Sequence, residues 1–579
     1  MTRNLAEISL NVPSGTPYLP YKFLRVADAS KGRIAYPVPE RPRASLTTLP
    51  DDVLLLIIGL VGVEDILALR MTSKRFSSVT RLRWVWSEAL KHHVIDRKIP
   101  VPAFIADLKS LSARELEARA LHATTFQRNW CAPEPRPRRA LDFRVNIELD
   151  GSQTYGLLET EPAPVSHVMF PPGYNGELLI TVSEHKRVVC WEVPLGGSQA
   201  FVVAERSLSH AKISAIVVNE DPKSEAILVV VWSRMNTDQP TPSNTPREIV
   251  VEAWSMDRFH GCFNVIRSDV LPANMHGRML PLTRLMGHLA FMGDPVALWD
   301  WRQRGTYLML NNATAHVSPV PDSLLAVKLI RGYLLIVRQS HIQLLPLPEY
   351  DDVGKPLRRG PIAGAALLHL HEVAREAVIV THELTEEEKA AWQFEPVTIL
   401  MRVADGGFHT IRKYNIFPQP VASTSATTSS PAVQMVPNTM QLAPRLLPSG
   451  ATLVPTLPCY FPVNPVTTIP VPPSCANLTL GRNGKGFWTE TRNITTGHAT
   501  YPARCLVGFD VVSRVVFRDG TPVWENEFVV REGVLHASRM GIGEVAQKKY
   551  RLMSAALEDT VGRVAIGGRD GRMQVLDFA

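Results

Sequence analysis

Few residues of this chain stand in patterns that make or break bonds. "GRNGKGF" (Gly481–Phe487) has the glycines and lysine of a phosphate-binding loop, but no Ser or Thr follows the lysine and no helical pattern continues from it. It reads as a hairpin turn. His92 and His93 are adjacent, so one helix face cannot offer both to a metal. The six cysteines, Cys131, Cys190, Cys262, Cys459, Cys475 and Cys505, are far apart and form no C-x-x-C pair. Reduced, mostly buried thiols are expected, and no zinc ribbon or disulfide framework. Neither G-x-S-x-G nor H-E-x-x-H occurs. The sequence predicts no catalytic residue, no cofactor and no metal site.

What remains is the chemistry of association. In "LPDDVLLLIIGLVGVED" (Leu49–Asp65), every residue from Val53 to Val63 is apolar or glycine. The run is too short to cross a bilayer, which takes about 20 apolar residues. It must be buried in a core or against another polypeptide. The rest of the composition is that of a globular protein: 579 residues, 45% hydrophobic, with 46 prolines to be placed in loops and linkers. That length predicts two or more folding units. The 62 basic residues are nearly offset by 55 acidic ones, and no long Lys/Arg run appears. Nucleic acid is therefore not an expected partner. No signal-peptide core and no span of transmembrane length are present, so the expected setting is intracellular, cytoplasmic or nuclear, without a membrane partner.

The elements that position the apolar run are helical. Residues 1–44 form a Pro-rich arm. Pro50, Asp51 and Asp52 suit the first turn of a helix that Gly59 and Gly62 break. "VEDILALRMTS" is a second short helix. "SKRFSSVTRLRWVWSEALKHHV" is a third, opening on a Ser73 cap, with Phe76, Val79, Leu82, Val85, Trp86 and Leu90 at three- and four-residue steps. So small a unit is marginal alone. Its first helix is apolar on more than one face, which calls for a second covering surface.

The segment "SLTTLPDDVLLLIIGLVGVEDILALRMTSKRFSSVTRLRWVWSEAL" resembles an F-box, the helical motif that docks on the Skp-type adaptor of cullin-based ubiquitin ligases. Leu49-Pro50, Val53-Leu54, Ile57, Leu60, Asp65-Ile66-Leu67, Leu69-Arg70, Lys74, Phe76 and Trp86 carry the likeness. Thr72 stands where many members have Cys, and "GVED" replaces the common Asp-Pro turn. The resemblance implies adaptor contact by Leu49, Pro50, Val53, Leu54 and Ile57, supported or extended by Ile66, Leu67 and Trp86. Leu69, Phe76 and Val79 read as internal core. The expected domain is 45–94, followed by a helical linker at 95–140.

From Leu141 the period changes to two. "GELLITVSEHKRVVCWEVPL", "GYLLIVRQSHIQLLPLP" and "GRVAIGGRDGRMQVLDF" each read as strand, tight turn and strand. "HLAFMGDPVALWDWRQRGTYLML" adds a turn at Gly293-Asp294. The recurrent hairpin, often closing on Trp, resembles a diverged WD-repeat β-propeller blade, although Trp299-Asp300 is the one true Trp-Asp pair among these hairpins. The expected fold is α+β multidomain: a small helical F-box, then an all-β propeller over 141–579 with six to eight blades, most simply seven. "LDFRVNIEL" near its start is expected to pair with "RMQVLDF" at its end, removing open sheet edges. A Ser/Thr/Pro-rich insertion spans about 418–474, and "LTEEEKAAW" (Leu384–Trp392) is a short acidic connection.

The resemblance, with its likeness to the diverse F-box sets of basidiomycete fungi, implies a non-catalytic substrate-recognition subunit. Its partners would be the Skp-family adaptor, through it a cullin and RING subunit, and an unknown target. A scaffold without a ligase role, or a propeller enzyme with residues drawn from several blades, are the alternative readings.

Overall fold

A computed structural model of the chain describes residues 46–101, 108–145, 164–197, 199–208, 211–234, 248–271, 282–292, 297–302, 307–309, 322–330, 333–346, 366–370, 372–382, 395–405, 407–418, 445–446, 452–453, 459–460, 464–496, 499–518, 521–539 and 552–579. It divides into two units, Met1–Leu54 and Leu55–Ala579. The described part of the first is a 3-10 turn, Leu46–Thr48, and the opening of helix α1 (Asp51–Gly59). The expected arm at 1–44, the turn at Gly293-Asp294 and the segment at 384–392 lie outside the described residues.

The second unit begins with the rest of α1 and continues through α2 (Val63–Arg70), α3 (Lys74–Val79) and α4 (Arg83–Leu90). The Ser73 hydroxyl caps α3 by accepting from the Phe76 amide at 3.1 Å. The single third helix expected from the sequence is two. Thr80 ends α3: its hydroxyl donates to the Phe76 carbonyl, and its own carbonyl accepts from the Trp86 indole at 2.8 Å and from Arg70 at 3.1 Å. Those side chains take the acceptor that a continuing helix would have used.

The linker is also more than a spacer. Its helix, α5 (Ala113–Trp130), starts at a Ser112/Glu115 capping box. One end of α5 meets the short helices, where Glu117 receives Arg70 in a two-pronged ion pair at 2.7 and 3.0 Å. Arg128 pairs with Glu64 of α2. The other end enters the β region, where Phe126 and Trp130 are fully buried with Phe487, Leu506, Leu535, Val564 and Phe578.

That β region is built from four-stranded antiparallel groups. Their first strands are Val165–Met169, Ala211–Val218, Leu282–Met286, Leu324–Ile330, Ala374–Thr381, Ala476–Leu480 and Leu552–Glu558. Each first strand touches the next, and the last returns to the first, in a closed ring. An eight-stranded sheet is two such groups joined by one parallel bridge, Glu205 to Cys262. The apolar clusters lie between successive groups: Trp254 and Ile180 share one, Trp299 and Val251 the next, Val337 and Ile399 another. This is a propeller-like arrangement, with sheets packed face to face around an axis. The last group closes on the first strand of the region, Arg139–Arg144, which pairs with Arg572–Asp577 in the register Arg139 to Asp577. That strand starts two residues before Leu141 and ends by Arg144.

Turn chemistry follows the sequence. Glu184 and His185 both take positive φ (51° and 58°) between paired strands, and Gly571 does so at 74° in the last hairpin. Near the end of the Ser/Thr/Pro-rich segment, Thr467–Pro470 pairs with Thr410–Lys413 as a fourth strand. Pro470 is tolerated there because it lies on the outermost strand.

"GRNGKGF" forms a hairpin turn with structural duties. Arg482 donates to the Glu220 carbonyl at 2.7 Å, and Glu220 also pairs with Lys328 at 3.0 Å, so two cationic side chains meet at one residue. Lys485 is buried against Asp510 (3.1 Å) and Gln127 of α5 (2.7 Å), and burial pulls its pKa down to about 8.

The neighbouring Asp559 accepts two hydrogen bonds from Asn483, at 2.6 and 3.1 Å. Burial, then the nearby Glu558, push its pKa up to about 6. A carboxyl raised above its unfolded value near 3.9 stabilises the fold fully below pH 4 and loses that contribution as pH rises through 6. The stability of the native chain relative to Asp559→Asn should therefore fall by roughly 2 kcal/mol between pH 4 and pH 7. Urea titrations of both proteins across that window check it. A difference that stays flat would contradict the assignment.

The buried thiols match expectation in kind. Cys190, Cys475 and Cys505 are buried, and burial pushes Cys190 and Cys475 up to about 12. Among the described residues no helix is long and apolar enough to cross a membrane.

Candidate protein-docking site

A 3.6-residue period turns the apolar run into two stripes. Leu54 and Ile58, four residues apart, are buried. The residues between and around them are not: Leu56 is 68% exposed, Leu60 85%, and Val53 and Ile57 each 37%. Aspartates 51 and 52 stand exposed at the head of the same helix. Beyond it, Met71 is 90% exposed just past α2, and Leu82 and Trp84 are exposed around the start of α4. Large apolar side chains left in water at this density mark a surface made to be covered.

The residues named from the sequence divide accordingly. In the first unit Pro50 and Val53 are exposed, Leu49 is half-buried, and Leu54 is buried. In the second, Ile57 is exposed and Leu67 half-buried, whereas Ile66 and Trp86 are fully buried. Of the residues named, Leu54, Ile66 and Trp86 are thus the buried ones. Phe76 and Val79 are core, as read from the sequence, and Leu69 is half-buried. Leu56, Leu60, Met71, Leu82 and Trp84 are exposed as well, although the sequence reading assigned none of them to the docking surface. The signal for the first two was present: once Leu54 and Ile58 point inward, the helical period puts Leu56 and Leu60 outside.

Trp86 shows what holds the surface in shape. Its indole N–H reaches the Thr80 carbonyl, and the Arg70 guanidinium lies 5.5 Å from its ring centre. Arg70 continues to Glu117, so α2, α4 and α5 share one half-buried junction. Trp86→Phe removes the hydrogen bond and part of the ring and should cost about 1–3 kcal/mol. Thermal unfolding of the variant checks this, and an unchanged melting temperature would deny the junction its weight.

Burial, then Arg97, hold the His93 imidazole below its ordinary value. His92 bridges Glu88 and Asp96, both at 3.0 Å, along its own helical segment. Among the described residues no three His, Cys, Asp or Glu side chains meet as a metal group. The geometry therefore offers apolar contact area framed by exposed Lys74, Arg81 and Arg83.

No curated protein matches the chain. The apolar run, helices α1–α3, most of α4 and the Arg70–Trp86 contact fall within residues 46–88, which match the F-box domain and are followed by the large propeller-like β region.

Proposed function

We propose that this chain is the substrate-recognition subunit of a Skp–cullin–F-box ubiquitin ligase. Leu49, Pro50, Val53 and Ile57 would meet the adaptor together with Leu56 and Leu60, while Ile66 and Trp86 would support that contact from within the second unit and Leu67 would border it. The observation that carries the reading is the unburied apolar stripe of α1 inside the F-box match. On this reading the functional divisions are a helical module at 45–94, a connecting region at 95–140 and a propeller at 141–579, counted as seven blades. The indole of Trp191 donating to the Thr181 hydroxyl at 2.9 Å, across neighbouring strands, suits a diverged WD-type blade.

The chain would supply no catalytic residue. Its contribution would be proximity: a target lysine held near a charged conjugating enzyme reacts almost intramolecularly. The rigid junctions along α5 suit that task, because they fix the β region relative to helices α2–α4. The expected setting is cytoplasmic or nuclear.

Reconstitution tests the proposal. The chain is mixed with a Skp-type adaptor, a cullin–RING pair, activating and conjugating enzymes, and ubiquitin. Co-elution with the cullin, and chain-dependent ubiquitin conjugates, are expected. Adaptor binding without cullin or conjugates would favour the scaffold alternative.

A further inference from the structure

The β region contains a pair of histidines that the proposed docking does not use. His341 opens one strand, and its partner across the ladder is His369, the last residue of the next. His341 is nine-tenths buried, and its Nδ1 lies 2.8 Å from an Asp322 carboxylate oxygen and 3.0 Å from the Ser340 hydroxyl. Asp322 is itself held by the Ser340 amide at 2.7 Å. A carboxylate on Nδ1 fixes the tautomer that leaves the Nε2 lone pair available. That Nε2 is shielded and finds no hydrogen-bond partner among the described residues. The His369 ring stands 6.2 Å away, centre to centre, and is exposed.

A carboxylate-oriented imidazole with an unused nitrogen, beside a second imidazole, is the pattern of a metal-ligating histidine and its outer support. We propose that His341 and His369 bind a divalent late-transition ion, zinc being the first choice, with Asp322 as the positioning group. Two imidazoles sharing one ion at a metal–nitrogen distance near 2.0–2.1 Å need their centres roughly 5 Å apart. The exposed His369 can close the difference by turning its ring. Two protein nitrogens leave the other positions to water, so the site is open and exchangeable. Imidazole favours zinc, copper and nickel over the hard ions magnesium and calcium.

The assignment does not depend on ligase function, and its test uses the full-length chain without an affinity tag. Zinc chloride is titrated calorimetrically and followed by thermal shift, with magnesium chloride as the hard-ion control. One site and a raised melting temperature are expected with zinc alone. His369→Ala, which alters an exposed side chain, should lose at least tenfold in affinity, and Asp322→Asn about 10- to 100-fold. His92→Ala and His167→Ala should leave the titration unchanged; the first removes the Glu88/Asp96-flanked imidazole, the second breaks the pair with His185 at 6.0 Å. Absence of zinc binding, binding retained in His369→Ala, or binding lost in His92→Ala or His167→Ala would each overturn the proposal.

Discussion

Aspartate at both Leu56 and Leu60 should abolish capture of a Skp-type adaptor while leaving the chain folded. Both side chains are mostly in water in the free chain, so their replacement removes little native packing. Surface changes of this kind usually stay within about ±0.5 kcal/mol. Docking reverses the balance. Each leucine buried at an interface contributes about 1.5–3 kcal/mol, and a carboxylate left unpaired under a partner adds a desolvation cost. Together these come to about 3–6 kcal/mol, a loss of roughly 10²- to 10⁴-fold in affinity. The measurement pairs a binding titration against purified adaptor with a thermal melt of the same samples. Met71→Asp serves as a mapping arm, since Met71 is even more exposed and stands past α2 rather than on α1. Undiminished binding by the double variant, with an unchanged melt, would remove α1 from the docking surface and the ligase reading with it.

The helical module was legible because its signals are local. Ser73, Pro50 and the paired aspartates mark ends through hydrogen bonds and dipoles that involve neighbours in sequence. What the sequence reading lost was the break at Thr80, which depends on Arg70 and Trp86 competing for a carbonyl from other helices. Burial of Leu54 was lost for a related reason: in an unbroken apolar run, composition does not reveal which face turns inward. The exposed leucines were recoverable from the helical period alone once one inward residue was known.

The β region was legible as hairpins and much less so as a repeat. Side chains between groups vary from Trp299 to Met401 to Phe509, so no common residue pattern survives. The repetition lies in the backbone. Each first strand pairs with its neighbour through a register irregularity close to its start, as between Val165 and His167, Ile213 and Ala215, Leu282 and Arg284, Leu324 and Ala326, Ala374 and Glu376, Ala476 and Thr479, and Leu552 and Ser554. A bulge there sharpens the local twist, and many residue types can make one. The role of α5 was hidden for the same reason. Its helical spacing was plain, but nothing in that spacing tells a free strut from one whose end is sunk between two sheets.

That sunken end sets the second large effect. Trp130→Ala should cost about 3–5 kcal/mol, the range for emptying a buried tryptophan site. The ring is edge-on to Phe126 at 5.6 Å and to Phe578 at 5.7 Å, and it is sealed by Phe487, Leu506 and Leu576. Little can collapse into the space, because the Phe126 ring is already pressed against Gly562, where even a methyl group would lie 2.4 Å from it. Trp130→Phe should behave differently. The indole N–H of Trp130 has no hydrogen-bond partner among the described residues, unlike that of Trp86. Replacing it with phenylalanine sacrifices volume but no bond, and restores part of the lost contact, so the cost should fall below about 2 kcal/mol. Chemical unfolding of both variants, followed through the remaining tryptophans, gives the comparison. The same α5 residues also hold Asn129 against the Phe578 carbonyl at 2.9 Å and Gln127 against Lys485, so Trp130→Ala should loosen the strand pairing that closes the ring. Faster hydrogen exchange in Arg139–Arg144 and Arg572–Asp577, with α2 and α3 unaffected, is the expected signature. Equal costs for the alanine and phenylalanine variants would mean that the pocket relaxes around either, and that α5 rests on the β region rather than being built into it.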